Sequence, residues 1–186
     1  MKANEKSDMM LLWEKELVGA FKENGYIYEC KVSSGSFGTI YKCNKGKYKY
    51  AVKFQYKDIE GHSLQKELLV MKAIHASTSD GSRFLLKPIL CARRLLSQTS
   101  ILTAYYSRTL TVFIERWKGD NNKIKRLAIG LCKGILHIHK SGFAHRDLKV
   151  SNILLKNGEG DPVIIDFGLA NAKHRGAGTP GYTAPE

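Results

Sequence analysis

The sequence lacks the features that mark membrane, secreted and zinc-binding proteins. No apolar run approaches the ~20 residues that a membrane-spanning helix requires. The N-terminus is polar and mixed in charge, unlike a secretory signal. The 4 cysteines are widely spaced, without a Cys-x-x-Cys pair or a histidine pairing typical of zinc sites. These absences favour an intracellular protein, cytoplasmic or nuclear, whose thiols are reduced.

Acidic residues are also scarce. The sequence has 17 Asp and Glu against 30 Lys and Arg, which gives a formal net charge of +13. Such an excess suits a polyanionic ligand or acidic partners. The positive residues are scattered and no run of five occurs, so we interpret most of them as a solvated basic surface. Neither nucleic acid nor a membrane is therefore expected as the main partner.

Apolar residues at spacings of three and four predict a helix over residues 8–24. One face of it carries Met10, Trp13, Leu17 and Phe21. We expect this helix to belong to an N-terminal extension over residues 1–29 and to dock on the adjoining domain. A membrane-binding or partner-binding helix is the alternative, which the mixed charge of the polar face disfavours.

A glycine-bearing hairpin is predicted in the strand-like stretch from Tyr26 to Tyr56. Between Val32 and Ile40 the chain reads Val-Ser-Ser-Gly-Ser-Phe-Gly-Thr-Ile. Small residues at such a turn let backbone amides approach phosphate groups without obstruction by side chains. The next predicted strand carries Lys53, whose apolar neighbours would hold it inward.

Helices and short strands are predicted along the rest of the chain. Apolar periodicity predicts helices over 62–75 and 123–140, and composition predicts a short helix over 110–117. Strands are predicted at 85–89 and 100–104.

The stretch from His145 to Asn152 reads His-Arg-Asp-Leu-Lys-Val-Ser-Asn, and a predicted buried strand downstream leads to Asp166-Phe167-Gly168. Asp147 precedes Asn152 by 5 positions and Asp166 by 19. Phosphoryl transfer needs such a set of groups: a carboxylate for the hydroxyl proton, a cation near the moving phosphate and oxygen ligands for magnesium. Each motif alone is a weak signal, whereas their order and spacing together indicate phosphoryl-transfer chemistry.

In these motifs the chain resembles eukaryotic-type protein kinases, in the serine/threonine form that places Lys149 two residues after Asp147. The resemblance implies an α+β fold. A small antiparallel β lobe with one key helix would span residues 30–104, and a partial, mainly helical large lobe would span 105–186. It also implies ATP-dependent phosphorylation of serine or threonine on protein substrates, with Mg²⁺.

The resemblance assigns roles to residues of the large lobe. Asp147 would position and deprotonate the substrate hydroxyl, and Lys149 would neutralise the γ-phosphate. Asn152 and Asp166 would hold Mg²⁺. Thr179 would link the activation segment to Asp147 and Lys149.

In the small lobe, Lys53 would orient the phosphates of ATP, and Glu67 would hold Lys53 in place. Thr103 would guard the back of the adenine pocket, beside a hinge at Ala104 and Tyr105. The residues expected to contact the nucleotide are Val32, Ser33, Gly35, Phe37, Gly38, Ile40, Ala51, Lys53, Thr103, Ala104, Tyr105 and Leu154.

Two features depart from the family pattern. Ser33 stands where the family has its first glycine, with Gly35 and Gly38 at the second and third positions. The sequence reaches only the Ala-Pro-Glu motif at 184–186, so we expect an exposed apolar underside along helix 123–140, open to a protein partner. A truncated chain, a natural minimal kinase and a chain completed by another protein all stay open. So does a non-catalytic nucleotide-binding or scaffold function.

Overall fold

The computed structural model describes several stretches of the chain. They are residues 15–35, 38–55, 63–89, 100–156, 160–172 and 179–182. The described residues form two compact units. Unit 1 draws on Met1–Ile59 and Ile89–Tyr105, and unit 2 on Glu60–Pro88 and Tyr106–Glu186. The domain boundaries predicted from the sequence stay predictions.

Unit 1 contains a four-stranded antiparallel sheet in the order β1-β2-β3-β4. The strands are β1 (Ile27–Gly35), β2 (Gly38–Lys45), β3 (Tyr48–Phe54) and β4 (Ser100–Ala104). Alternate residues of β2 are buried, as in any strand that packs one of its faces. Gly46 closes the turn between β2 and β3 with a φ of 59°, which favours glycine. The strand predictions for this part of the sequence are confirmed.

Helix α1, described over residues 15–23, packs against one face of this sheet. Leu17 and Phe21 lie one turn apart and are fully buried in a cluster with Tyr41 and Phe54. The rings of Phe21 and Phe54 meet edge to face, with their centroids 6.2 Å apart. Burial of each such side chain stabilises the unit by about 1.5–3 kcal/mol. Docking of this helix on the adjoining domain is confirmed for the described part of the helix.

Unit 2 is built on one long helix and a two-stranded hairpin. Its elements are α2 (Leu64–Ile74), α3 (Leu110–Phe113), α4 (Asn121–Lys140), β5 (Ile153–Lys156) and β6 (Asp161–Ile164). Strand β6 approaches α4 closely at two glycines. A Cβ atom at Gly130 would lie 2.6 Å from Pro162, and one at Gly134 would lie 3.0 Å from Ile164. A larger residue at Gly130 would push β6 away from α4.

Helix α2 is joined to α4 through a buried histidine. His137 Nε2 lies 2.8 Å from the carbonyl oxygen of Ile74, and its Nδ1 lies 2.7 Å from Oγ of Ser79. At the start of α4, the Asp120 carboxylate accepts the backbone N–H of Lys123 at 3.1 Å, which satisfies one of the free amides of the first turn. Both helices are predicted by the sequence and confirmed.

Two other predicted elements differ in the structure. The strand predicted at 85–89 is wrong: Leu85 forms only an isolated parallel bridge with Ile164, and Pro88 has no N–H to donate to a ladder. The helix predicted over 110–117 is limited to the 4 residues of α3, and turns follow it.

Exposed apolar side chains occur along α3 and α4. Val112, Ile124, Ile129 and Leu136 have between 46% and 54% of their surface exposed. The exposed apolar side chains expected on α4 are therefore present, and a protein partner that covers them stays a prediction. Among the described residues, no helix has the length and apolarity that crossing a bilayer would need.

Candidate active site

Asp147 is held by three side chains of unit 2. Thr179 Oγ1 donates to Asp147 Oδ1 at 2.5 Å, and Lys149 Nζ lies 2.9 Å from Asp147 Oδ2. The Nδ2 atom of Asn152 donates to the same Oδ2 and to the backbone carbonyl of Asp147, both at 2.9 Å. Lys149 Nζ also donates to Thr179 Oγ1 at 2.8 Å. Because both carboxylate oxygens have partners, the orientation of the Asp147 side chain is fixed.

The electrostatics keep Asp147 ionised. Burial acts to raise the pKa of its carboxyl group, which is only 8% exposed. The hydrogen bond from Thr179 and the ammonium of Lys149 act in the opposite direction and outweigh burial, so the pKa lies below its ordinary value. A buried anion with fixed lone pairs is suited to accept a hydrogen bond from a substrate hydroxyl.

His145 connects the loop of Asp147 to the segment before Asp166. The backbone N–H of Asp147 donates to Nδ1 of His145 at 3.3 Å, so Nδ1 carries no proton and Nε2 donates to the carbonyl of Ile165 at 2.9 Å. The imidazole ring also packs on Phe167, with centroids 5.2 Å apart. Burial lowers the pKa of His145 and favours this neutral form. Sequence reasoning gave His145 no role.

The two predicted metal ligands lie on neighbouring backbone segments. The N–H of Ile165 donates to the carbonyl of Asn152 at 3.0 Å, and Asp166 is the next residue. Asp166 has a φ of 65°, a left-handed value that is uncommon outside glycine and is often found at functional sites. Arg146, next to Asp147, has a similar φ of 69°.

The donor atoms fit Mg²⁺. Because Nδ2 of Asn152 donates to Asp147, the amide oxygen is directed elsewhere and is the atom available to a metal. An amide oxygen and the carboxylate of Asp166 are the hard ligands that Mg²⁺ prefers. The described residues contain no cluster of three or more His, Cys, Asp or Glu that could hold a metal alone.

Glu67 is a buried acid on α2, with 7% of its surface exposed. It lies near the glycine after Asp166 and Phe167: a Cβ atom at Gly168 would be 3.6 Å from Glu67 Oε2 and 3.4 Å from Asp166 Oδ1. Glu67 belongs to unit 2 and Lys53 to unit 1, and their pairing stays a prediction.

In unit 1, several predicted nucleotide contacts share one face of the sheet. Ile40 pairs with Lys53 across β2 and β3, and Ala51 pairs with Thr103 across β3 and β4. Directly paired residues lie on the same face, and residues two apart along a strand do so as well. Helix α1 covers the opposite face, where Val52 is fully buried. The face with Lys53 is therefore the one that α1 leaves uncovered.

The hairpin of β1 and β2 closes where the resemblance predicts it. Gly35 pairs with Gly38, and Ser33 pairs with a residue of β2 in the same ladder. Gly38 has a φ of 134°, and a Cβ atom there would lie 2.2 Å from the carbonyl oxygen of Phe54. Only glycine fits this position without strain. Phe37 lies outside the described residues.

The remaining predicted nucleotide contacts differ in their surroundings. Val32 on β1 is 44% exposed. At the end of β4, Ala104 is exposed, and the N–H of Tyr105 donates to the carbonyl of Lys49 at 3.0 Å. Leu154 is half-buried on β5 in unit 2. Their contacts with a nucleotide stay predictions.

Comparison with known proteins assigns the family. Residues 26–186 match the protein kinase domain. The chain belongs to the protein kinase family. The resemblance to eukaryotic-type serine/threonine kinases is thereby confirmed, as is the α+β kinase-like fold class.

Kinase relatives match different shares of the chain. A probable CTD kinase subunit alpha homolog of Encephalitozoon cuniculi is 32% identical over 83% of this chain and 47% of its own length. Serine/threonine-protein kinase 16 of Homo sapiens is 44% identical over 38% of this chain and 25% of its own length. The chain thus spans half or less of the length of these relatives. A solved crystal structure of a kinase domain, 22% identical, matches the fold with a TM-score of 0.71 over 87% of this chain and 57% of that one.

Proposed function

We propose that this kinase chain transfers the γ-phosphate of ATP to serine or threonine hydroxyls of protein substrates, with Mg²⁺. The observation that carries the proposal is the network around Asp147, in which Thr179, Lys149 and Asn152 fix an ionised carboxylate. Kinase relatives named as serine/threonine kinases support the choice of substrate hydroxyl. The proposal includes an intracellular setting, in the cytoplasm or nucleus, consistent with free thiols at Cys30, Cys43 and Cys132.

Asp147 would act on the substrate hydroxyl. Its carboxylate accepts the hydroxyl hydrogen bond, orients the oxygen for attack and takes the proton as the bond to phosphorus forms. Thr179 keeps Oδ1 in place, and Lys149 brings a positive charge to within 2.9 Å of the same carboxylate, where it would also face an incoming phosphoryl group. The low pKa of Asp147 means that the base is ionised at neutral pH.

Asn152 and Asp166 would hold Mg²⁺ in this proposal. Bound there, the ion would neutralise the charge of the β- and γ-phosphates. In unit 1, the hairpin and Lys53 would supply contacts to the nucleotide, with small residues at the turn that leave the backbone amides accessible. Ser33 in place of a glycine keeps the position small.

A transfer assay with a matched pair of variants tests the proposal. The 186-residue chain is incubated with Mg²⁺, γ-labelled ATP and a mixture of unfolded proteins, and the labelled amino acids are identified. Asp147→Asn keeps the shape of the side chain but removes the base, and we expect transfer to fall by about 10²–10⁴-fold. Asp120→Asn is the control, because asparagine also caps a helix, and it should transfer at the wild-type rate.

Two results would contradict the proposal: equal transfer by wild type and Asp147→Asn, or label found on tyrosine alone. A folded wild-type chain that binds Mg-ATP but transfers no phosphate would support the alternative, a non-catalytic nucleotide-binding function. The exposed apolar side chains of α3 and α4 favour a partner-dependent form of that alternative.

A further inference from the structure

A surface groove of about 330 Å³ lies in unit 2, and none of the residues assigned to phosphoryl transfer lines it. Its walls come from residues 122–133 of α4, from the turn before Leu85 and from the start of β6. Phe84, Ile129 and Gly130 form its apolar part. Ile129 is 46% exposed, so an apolar surface is open to a ligand inside the groove.

The charged lining of the groove is strongly positive. Four cations surround the apolar part, and one carboxylate, Asp161, lies among them. The cations are Arg83, Lys125, Arg126 and Lys133. Along α4, residues four positions apart share a face, and these are Lys125, Ile129 and Lys133. This face therefore presents an apolar side chain with one ammonium group on each side of it.

Ion pairs hold some of these cations in place. Arg126 forms a two-pronged bond with Asp161, at 2.7 and 2.8 Å. Asp80 pairs with Lys133 at 2.5 Å and with Arg83 at 3.2 Å. The side chains of the two Asp80 pairs are roughly half exposed, and surface pairs of this kind contribute little stability, so a ligand carboxylate can exchange with Asp80 at small cost. No carboxylate of the described residues forms an ion pair with Lys125.

We propose that this groove docks an acidic segment of a partner protein, in which carboxylate side chains flank an apolar one. The flanking ammonium groups of α4 match the carboxylates, and the open side of Ile129 matches the apolar side chain. Nucleic acid fits less well, because its sugar-phosphate backbone carries no apolar side chain to match Ile129. The proposal is independent of phosphoryl transfer.

Fluorescence anisotropy tests the proposal on the 186-residue chain without ATP. The probe is a labelled nine-residue peptide of alternating glutamate and leucine. The double variant Lys125→Glu, Lys133→Glu should bind the peptide about tenfold more weakly or worse. The single variant Lys125→Glu should weaken peptide binding by a smaller factor. Lys118→Glu with Lys140→Glu is the control, because it changes the net charge equally at exposed sites outside the groove. Ile129→Ser should weaken the leucine-containing peptide but not a glutamate-serine peptide.

Thermal melts of each variant verify that it is folded before binding is measured. Equal affinity of wild type and the Lys125→Glu, Lys133→Glu variant would overturn the proposal. So would equal binding of a lysine-leucine peptide, which would remove the role of charge. Displacement of the peptide by millimolar inorganic phosphate alone would reduce the groove to a general anion site. If a nine-nucleotide RNA binds more tightly than the peptide, and the Lys125→Glu, Lys133→Glu variant loses this binding, then the ligand of the groove is nucleic acid and the proposal is wrong.

Discussion

Unit 1 and unit 2 position their candidate functional residues by different forces. In unit 1, Ile40, Lys53, Ala51 and Thr103 share a face because the backbone ladders of the sheet set their register. In unit 2, Asp147 takes its direction from side-chain hydrogen bonds. A backbone ladder tolerates many side chains but few changes of backbone conformation, whereas a side-chain network fails when one hydroxyl or amide is removed. The units should therefore respond to different kinds of substitution.

Gly38→Ala should have the largest effect on stability. The new Cβ atom would meet the carbonyl oxygen of Phe54 at 2.2 Å, and the φ of 134° is unfavourable for alanine. We expect a loss of about 3 kcal/mol, which lowers the thermal midpoint of a chain this long by roughly 6–12 °C. Gly35→Ala, on the facing strand with open space around it, is the control and should change the midpoint by less than about 2 °C. Equal effects of the two substitutions would contradict backbone control of unit 1.

Thr179→Ala should affect activity more than stability. It removes the hydroxyl that accepts from Lys149 and donates to Asp147, so the carboxylate loses its fixed direction. We expect kcat to fall about 10- to 100-fold with little change in the KM for ATP, since a positioning contact acts on the reacting geometry. Thr179→Ser keeps the hydroxyl and should retain most of the activity. If alanine and serine give the same kcat, the hydroxyl does not position Asp147.

Acidification should produce the smallest effect, and it should arise in unit 2. Burial lowers the pKa of His145 in the folded chain, so the unfolded chain takes up a proton first as the pH falls below about 6.5. The unfolded state then binds more protons than the folded one, and stability declines as the pH decreases through that window. Thermal midpoints measured from pH 8 to pH 5.5 should show this decline.

A non-titrating variant isolates the contribution of His145. The pH dependence of the midpoint should be weaker in His145→Asn, which can donate and accept hydrogen bonds without titrating in this range. His139→Asn replaces an exposed histidine of α4 and should leave the dependence as in wild type. An unchanged slope in His145→Asn would show that other groups cause the decline.

Local parts of the fold and site could be predicted from the sequence. The register of β2 and β3 follows from the short turn at Gly46, and the contact between Asp147 and Asn152 joins residues only five positions apart. The helical periodicity of α4 is long and regular, so it predicts the helix. In each case, neighbours in sequence decide the geometry.

Contacts between distant segments could not be predicted. Ser79 and His137 are 58 positions apart, and no sequence pattern indicates that their side chains are in contact. The link from His145 to Ile165 depends on how the hairpin of β5 and β6 folds back. The strand predicted at 85–89 is absent for a similar reason, because Leu85 and Leu86 make their backbone contacts with Ile164, a residue far along the chain.

The strongest single test of the account is a thermal melt with and without Mg-ATP, on wild type and on Asp166→Asn. Asparagine tolerates the φ of 65° and keeps the size of the side chain, so the substitution tests the charge that would hold the metal. At a ligand concentration about 100 times the Kd, wild type should gain about 2.7 kcal/mol of stability, and only when Mg²⁺ is present. Asp166→Asn should lose most of this gain, measured against its own melt without ligand. A wild-type chain without a Mg²⁺-dependent shift, or an equal shift in Asp166→Asn, would contradict the assignment of Asp166 to the metal and the proposed phosphoryl transfer with it.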